Sequence, residues 1–253
     1  MSLTIASLFQ ITYSGLYARE RELEVISHNI ANLQTAGYKR SQAITEDEVL
    51  PGAERALERW LPGGTYLAAT RRLFQQGTIE TTGQTWDLAL DGPGFFQIQQ
   101  PDGTIAYTRS GSFRTDQTGR LVTADGMWVL PPIVIPADTR EVYVDRNGAV
   151  LAQVNGQVQQ IGVLELARFA NPEGLLMVGA NRYIPTAASG PAQVARAGSP
   201  GYAEIVARAL ERSNVDLSAE MTALVSVQRA YSLALRMLQM TDHMHKLALE
   251  LRV

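Results

Sequence analysis

Apolar and small residues recur in steps of four and three at both ends of the chain. Near the C-terminus Ala223, Val227, Ala230, Ala234, Met237, Thr241, Met244, Ala248 and Leu251 keep this spacing without a charge. Near the N-terminus Ile5, Phe9, Thr12, Leu16, Arg19, Leu23, Ile26, Ile30 and Leu33 do the same, with Arg19 the only charged member. Alternating steps of this kind average about 3.5 residues, the period that keeps one helix face turned towards a partner helix. The pattern predicts one helix from about Ser2 to Leu33 and a second that resumes after 201 and runs to Arg252, most securely from Ser218 onward. Ser2 or Thr4 can cap the first, and Thr35-Ala36-Gly37 ends it; Ser213-Asn214-Val215-Asp216 kinks or caps the second.

The middle of the chain follows a different pattern. From about Tyr66, glycines arrive every few residues between short runs of strand formers such as Phe95-Phe96-Gln97-Ile98 and Leu121-Val122-Thr123. Asp102-Gly103, Asn147-Gly148 and Asn155-Gly156 are hairpin signals. Prolines 131, 132 and 136 bracket Ile133-Val134-Ile135, which reads as a short or edge strand. Stretch 66–187 therefore predicts a many-stranded β domain without room for βαβ crossovers. The segment 38–65 connects it to the first helix, with a short helix expected at Ala53–Trp60, and 188–201 reads as a linker. The fold class is α+β: a β-rich central domain, 66–187, with terminal helices in 1–37 and 202–253 pairing as a coiled-coil-like inner domain.

Composition narrows the chemistry. The 253 residues are 45% hydrophobic and 19% charged, ordinary for a folded chain, and the net charge of -3 offers no general attraction to nucleic acid or anionic membrane. No stretch approaches the roughly 20 apolar residues of a membrane span, and Met1 to Gln10 lacks the features of a cleaved secretory signal. No cysteine is present, which removes disulfides and thiolate chemistry.

The remaining candidates for chemistry are thin. His243 and His245 are two apart on a helix and point about 200° apart, so they cannot share a metal; His28 stands alone. Glu46-Asp47-Glu48 reads as a solvated loop. Asp91-Gly92-Pro93-Gly94 lacks the lysine and following helix of a phosphate-binding loop, and Ser110 lacks a nucleophile-elbow context. Tyr107, Arg109, Phe113 and Arg114 place aromatics beside basic residues, a weak nucleic-acid pattern on an acidic chain. No catalytic, cofactor or metal residue is assigned.

Asn29, Ala31, Asn32, Thr35, Gly37, Tyr38, Lys39 and Arg40, following an amphipathic helix, resemble the signature of the bacterial flagellar axial proteins, the rod and hook family; His28 departs from its usual residue. Asp87-Leu88-Ala89-Leu90-Asp91-Gly92-Pro93-Gly94-Phe95-Phe96, with Trp86 in place of an aliphatic residue, is similar to the start of that family's β domain. Tyr107 to Phe113, and Ser213 to Asp216 followed by Gln228-Arg229-Ala230-Tyr231, match in the same order. The chain is too short for a hook protein, and 121–136 looks most like the distal rod group; a 50–64 segment shorter than is usual there keeps the proximal group as an alternative.

The resemblance implies a structural rod subunit, exported by the flagellar secretion apparatus without a cleaved signal. Its partners would be further copies and other rod and hook proteins, with no nucleic acid and no membrane insertion. A hydrolase or a β-rich binding module is the alternative from another class. The expected assembly interface is Ile5, Phe9, Leu16, Leu23, Ile26, Asn29, Ile30 and Asn32 on the first helix, and Leu224, Val227, Ala230, Tyr231, Ala234, Leu235 and Leu238 on the second. Asn29 and Asn32 are expected to bond backbone groups of the helix end and its turn. The terminal helices, with Arg19 in the seam and much Ala and Thr, are expected to be marginal in the monomer and to order on assembly.

Overall fold

The computed structural model describes residues 5–47 and 64–250. The expected helix at 53–60, the caps Ser2 and Thr4, Glu48 and Leu251 lie outside them. The chain forms two compact units, one of 1–31, 41–73 and 215–253, the other of 32–40 and 74–214.

The first unit holds helix α1 (Ile5–Ala31), strands β1 (Ser41–Asp47) and β2 (Thr65–Arg72), and helix α2 (Leu217–Glu250). Neither helix contains proline and α2 contains no glycine, so nothing interrupts their backbone ladders. Asp216 caps α2, its carboxylate accepting the backbone N–H groups of Ser218 and Ala219 at 2.8 and 3.2 Å. β1 and β2 pair antiparallel from Ser41 opposite Arg72 to Asp47 opposite Thr65. The polar stretch expected only to connect thus begins as a strand.

The second unit is β-rich: β3 (Ile79–Thr81), β4 (Leu88–Asp91), β5 (Phe95–Gln99), β6 (Ile105–Thr108), β7 (Phe113–Thr115), β8 (Leu121–Thr123), β9 (Trp128–Leu130), β10 (Thr139–Val144), β11 (Ala149–Val154), β12 (Gln157–Val163), β13 (Glu165–Arg168), β14 (Leu176–Met177), β15 (Arg182–Ile184), β16 (Gln193–Arg196), β17 (Glu204–Ala207) and β18 (Ala209–Glu211). The main sheet runs β14-β15-β6-β5-β9-β8-β7, with β13 joining β5 to β16; β10-β11-β12 form a separate sheet, and β17 pairs with β4 and β18 with β3. Leu88, Leu90, Phe96, Ile98, Leu121, Ile133, Val150, Leu164, Leu166 and Ile205 fill the main core. A second cluster is aromatic, with Phe95 edge-on to Phe74, Phe169 and Tyr183. The hairpin signals all fall at turns, and Asn155 and Gly156 both take positive φ, 52° and 82°, as a tight two-residue hairpin requires.

The structure differs from the expectations in three places. The second helix starts at Leu217, whereas 202–216 holds β17 and β18, and the stretch read as a linker holds β16. The stretch Tyr202 to Ser213 contains good helix formers, but its burial alternates: Ala203 and Ile205 are buried and Glu204 between them is exposed. Pairing with β4 overrides local propensity there. The run Ile133-Val134-Ile135 makes one bridge, Val134 with Arg120, rather than a strand.

Candidate assembly surface

In the first unit Asn29 near the end of α1 meets Glu220 in the first turn of α2, so the helices run antiparallel from that point. The inner face of α1 carries Ala18, Ile26 and Asn29, all buried, with Leu16, Leu23 and Ile30 half-buried beside them and Phe9 half-buried further out. The side chain of Ile5 lies outside the described residues. Arg19 is not in the seam: it is exposed and pairs with Glu22 at 2.7 Å, and Ala18, 1% exposed, occupies the inner position. On α2 the inner face holds Glu220 and Thr241, both buried, and Leu224, Val227, Ala230, Tyr231, Ala234, Leu235 and Leu238, all half-buried.

The predicted stripe keeps Val227, Ala234 and Thr241 on this face but is one position off between them. Met237 and Met244 are exposed, and Leu238 and Thr241 take the inner positions. The helices pair, and the inner positions Glu220, Leu224, Val227, Tyr231, Ala234, Leu238 and Thr241 themselves step by four and three.

Outside this face lies a second apolar line. Leu233, Met237, Met240, Met244 and Leu247 are all exposed, Met240 at 62% and Leu233 at 60%. At 100° per residue they fall within an arc of about 80°. Sequence reasoning had part of this line and assigned it to the inner seam; the sign available was that four of the seven methionines, 221, 237, 240 and 244, lie on α2. Tyr13 and Tyr17 on α1 are exposed as well.

Asn29 is buried and acts as a backbone partner. Its Nδ2 donates to the Ser41 carbonyl at 2.8 Å and to Glu220 Oε2 at 3.2 Å, and its Oδ1 accepts the Ser41 N–H at 2.9 Å. The expected bonds to the helix end are therefore replaced by bonds to the first residue of β1. Asn32 is half-buried: its carbonyl accepts Thr35 N–H, and its Oδ1 accepts the Thr35 hydroxyl, both at 3.1 Å.

The second unit contains a buried ionic cluster. Lys39 Nζ donates to Glu211 Oε1 at 2.5 Å and to the Gln75 carbonyl at 2.7 Å. Gly77 N–H donates to the same carboxylate oxygen at 2.9 Å, and Arg109 Nε lies 3.5 Å from Glu211 Oε2. Arg109 also donates to the Gly92 carbonyl at 2.9 Å. Burial pushes the Lys39 ammonium and the Arg109 guanidinium below their ordinary pKa values, against the opposing pull of Glu211. Asn214 adds a further tie, accepting Arg40 N–H at 2.7 Å and donating to Gln75 at 3.0 Å. The cluster binds 37–40, 75–77 and 211–214, three separate stretches of sequence, into one piece. Gly37 is part of it: its N–H donates to the Glu211 carbonyl at 2.7 Å, and a Cβ there would sit 2.6 Å from the Arg109 carbonyl carbon. Its φ of +69° serves this approach rather than a helix cap, since α1 ends at Ala31.

Tyr107, Arg109 and Phe113 are buried, so the aromatic–basic run presents no stacking face for bases. Among the described residues no helix is long and apolar enough to cross a membrane, and no group of three or more His, Asp or Glu gathers.

Comparison with known proteins agrees with this arrangement. Residues 9–39 match the family model "Flagella basal body rod protein", 89–152 the "Flagellar hook protein FlgE/F/G D1 domain", and 206–251 the "Flagellar basal body rod FlgEFG protein C-terminal". The flagellar basal-body rod protein FlgG of Caulobacter vibrioides is 37% identical, over 94% of this chain and 97% of its own length. That of Buchnera aphidicola subsp. Acyrthosiphon pisum is 37% identical, over 92% and 95%. The rod protein FlgF of Mesorhizobium japonicum is 30% identical, over 87% of each chain. The terminal helix pair, the β domain between them and these full-length matches together place the chain in the flagellar basal-body rod family, a structural rather than enzymatic one.

Proposed function

We propose that this chain polymerises into the distal part of the flagellar rod, the drive shaft that carries torque from motor to hook. The observation that carries the reading is the double-faced α2. One face is occupied by α1, while Leu233, Met237, Met240, Met244 and Leu247 form an apolar line exposed to solvent. Such a line suits a helix of a neighbouring subunit, and in the shaft the helices would pack in coiled-coil fashion across subunits. The inner residues from Phe9 to Asn32 and from Leu224 to Leu238 then set the helix pair that presents it. The likeness of 121–136 to the distal group, and 37% identity to FlgG relatives against 30% to an FlgF relative, support the distal over the proximal position.

In this reading the chain is exported by the flagellar apparatus without cleavage, functions outside the cytoplasm, in the periplasm where an outer membrane exists, and contacts copies of itself and other rod and hook proteins. The test is complementation of a strain lacking its distal rod gene, scored by motility and by electron microscopy of isolated basal bodies. Restored rods support the reading; rescue confined to a strain lacking the proximal rod gene would reassign the position.

A further inference from the structure

Methionine sulfur occurs in two environments in this chain. Met127 is half-buried against the main core, and its sulfur accepts an Arg182 N–H at 3.0 Å. Met177 is half-buried against the aromatic cluster. Met221, Met237, Met240 and Met244 all stand on α2 and are all exposed, from 47% at Met221 to 62% at Met240. Met1 lies outside the described residues.

The four exposed methionines are not equivalent. At about 100° per residue, Met237 and Met244 lie about 60° and 40° from Met240 on the same side, within about two turns, and Leu233 and Leu247 continue the line. Met221 is turned about 100° from Met240 in the opposite sense, and lies about 24 Å along the axis from Met237. It is as open to solvent as the others but stands off the line.

An exposed thioether reacts with a hydroperoxide. The sulfur lone pair attacks one peroxide oxygen, an S–O bond forms and the O–O bond breaks. The transferred oxygen gives its proton to the departing hydroxide, which leaves as water. The sulfur has then lost two electrons, and a flexible apolar side chain has become a polar sulfoxide.

We propose that Met237, Met240 and Met244 form a peroxide-reactive modification site whose sulfoxides stop the free subunit from joining the polymer. The consequence rests on the outer line being the contact between subunits; the reactivity does not. A sulfoxide oxygen accepts hydrogen bonds, and Leu233 and Leu247 beside it offer no donor. Water satisfies that oxygen on the free chain, whereas under a neighbouring helix it is buried without a partner. Within the polymer the same sulfurs are covered, so the site acts on the subunit before it assembles. The block is reversible: a methionine sulfoxide reductase removes the oxygen as water, with two thiols supplying the electrons and closing to a disulfide.

The experiment exposes the full chain briefly to hydrogen peroxide, quenches with catalase and maps each methionine by peptide mass spectrometry. Self-association is then followed by sedimentation at rising concentration. The α2 methionines should oxidise severalfold faster than Met127 and Met177, and oxidised wild type should need at least about tenfold more protein to associate. Reductase treatment should restore association. A variant with Met237→Leu, Met240→Leu and Met244→Leu keeps apolar volume, so it should associate as wild type does and lose its sensitivity to peroxide. Met221→Leu should stay sensitive. Oxidation spread evenly over all six mapped positions, or a triple variant that peroxide still blocks, would overturn the site. Oxidised wild type that associates like the untreated chain would overturn the block and leave the rod reading standing. If the untreated chain stays monomeric at every concentration while the line oxidises as expected, the subunit contact itself is wrong, and the proposed consequence falls with it.

Discussion

Asn29 satisfies both backbone groups of Ser41 with one side-chain amide, donating to its carbonyl at 2.8 Å and accepting its N–H at 2.9 Å. A side chain thus plays the part of a neighbouring strand at the first residue of β1, and it does so while buried. Asn29→Ala leaves two buried backbone groups unmet, each worth roughly 1–3 kcal/mol. Asn32→Ala removes a half-exposed contact with the Thr35 hydroxyl, and that bond is worth roughly 1 kcal/mol. Hydrogen exchange at Ser41 should rise steeply in the first variant and little in the second. Equal exchange in both would refute the distinction.

The Lys39–Glu211 pair leads to a second expectation. Removing one member leaves a buried charge without its main partner, a loss of about 3–5 kcal/mol in comparable sites. Lys39→Met and Glu211→Leu should each destabilise the β-rich unit on that scale, measured by denaturant unfolding with Trp86 and Trp128 as reporters. The double variant should cost less than the two singles combined, because the residues are in direct contact. Strict additivity would show that the pair does not act as a unit.

How far the sequence carried the fold depends on which signal was local. Asn-Gly and Asp-Gly turns fix their own geometry, so the hairpins at 102–103, 147–148 and 155–156 were legible. The strands over 204–211 were not: Ala, Glu, Arg and Leu favour helix locally, and only the long-range pairing of Ile205 with Leu90 makes this stretch a strand. The helix period was legible, but the register was one position off along one of its two lines, with Leu238 inward where Met237 was expected. That error placed Arg19 in the seam instead of Ala18, and sent Met237 and Met244 inward when they face solvent. Lys39 and Arg40 stood out only as part of a family signature. Nothing near them in sequence shows that Lys39 meets a carboxylate 172 positions away.

Asp116 provides a pH dependence. Its carboxylate accepts the Thr118 hydroxyl and the Thr118 and Arg120 N–H groups, with the Thr118 hydroxyl the largest influence, and these hold its pKa below the ordinary 3.8. A group whose folded pKa is depressed contributes stability above its unfolded value and loses it as pH falls through the folded one. Asp116→Asn should therefore lower the melting temperature at neutral pH, and the gap to wild type should narrow below about pH 3.8. A gap that stays constant into acid would assign the effect to shape rather than charge.

The two faces of α2 can be separated by substitution. Ala234 is half-buried on the inner face, so Ala234→Glu forces a carboxylate towards α1 and should loosen the helix pair within each monomer. Met237 and Met240 face solvent, and replacing both with glutamate changes no contact of the inner face. Glutamate is also a good helix former, so helicity by circular dichroism should stay at the wild-type level in the methionine double variant. Assembly should behave differently. A neighbouring helix laid on the outer line would have to bury both new carboxylates, at several kcal/mol each, and the cost recurs for every subunit added. Sedimentation at rising concentration and electron microscopy of basal bodies would then show a folded monomer that builds no rods. For Ala234→Glu, reduced helicity should accompany the same loss of rods. If the methionine double variant polymerises as well as wild type, the outer line is not the contact between subunits.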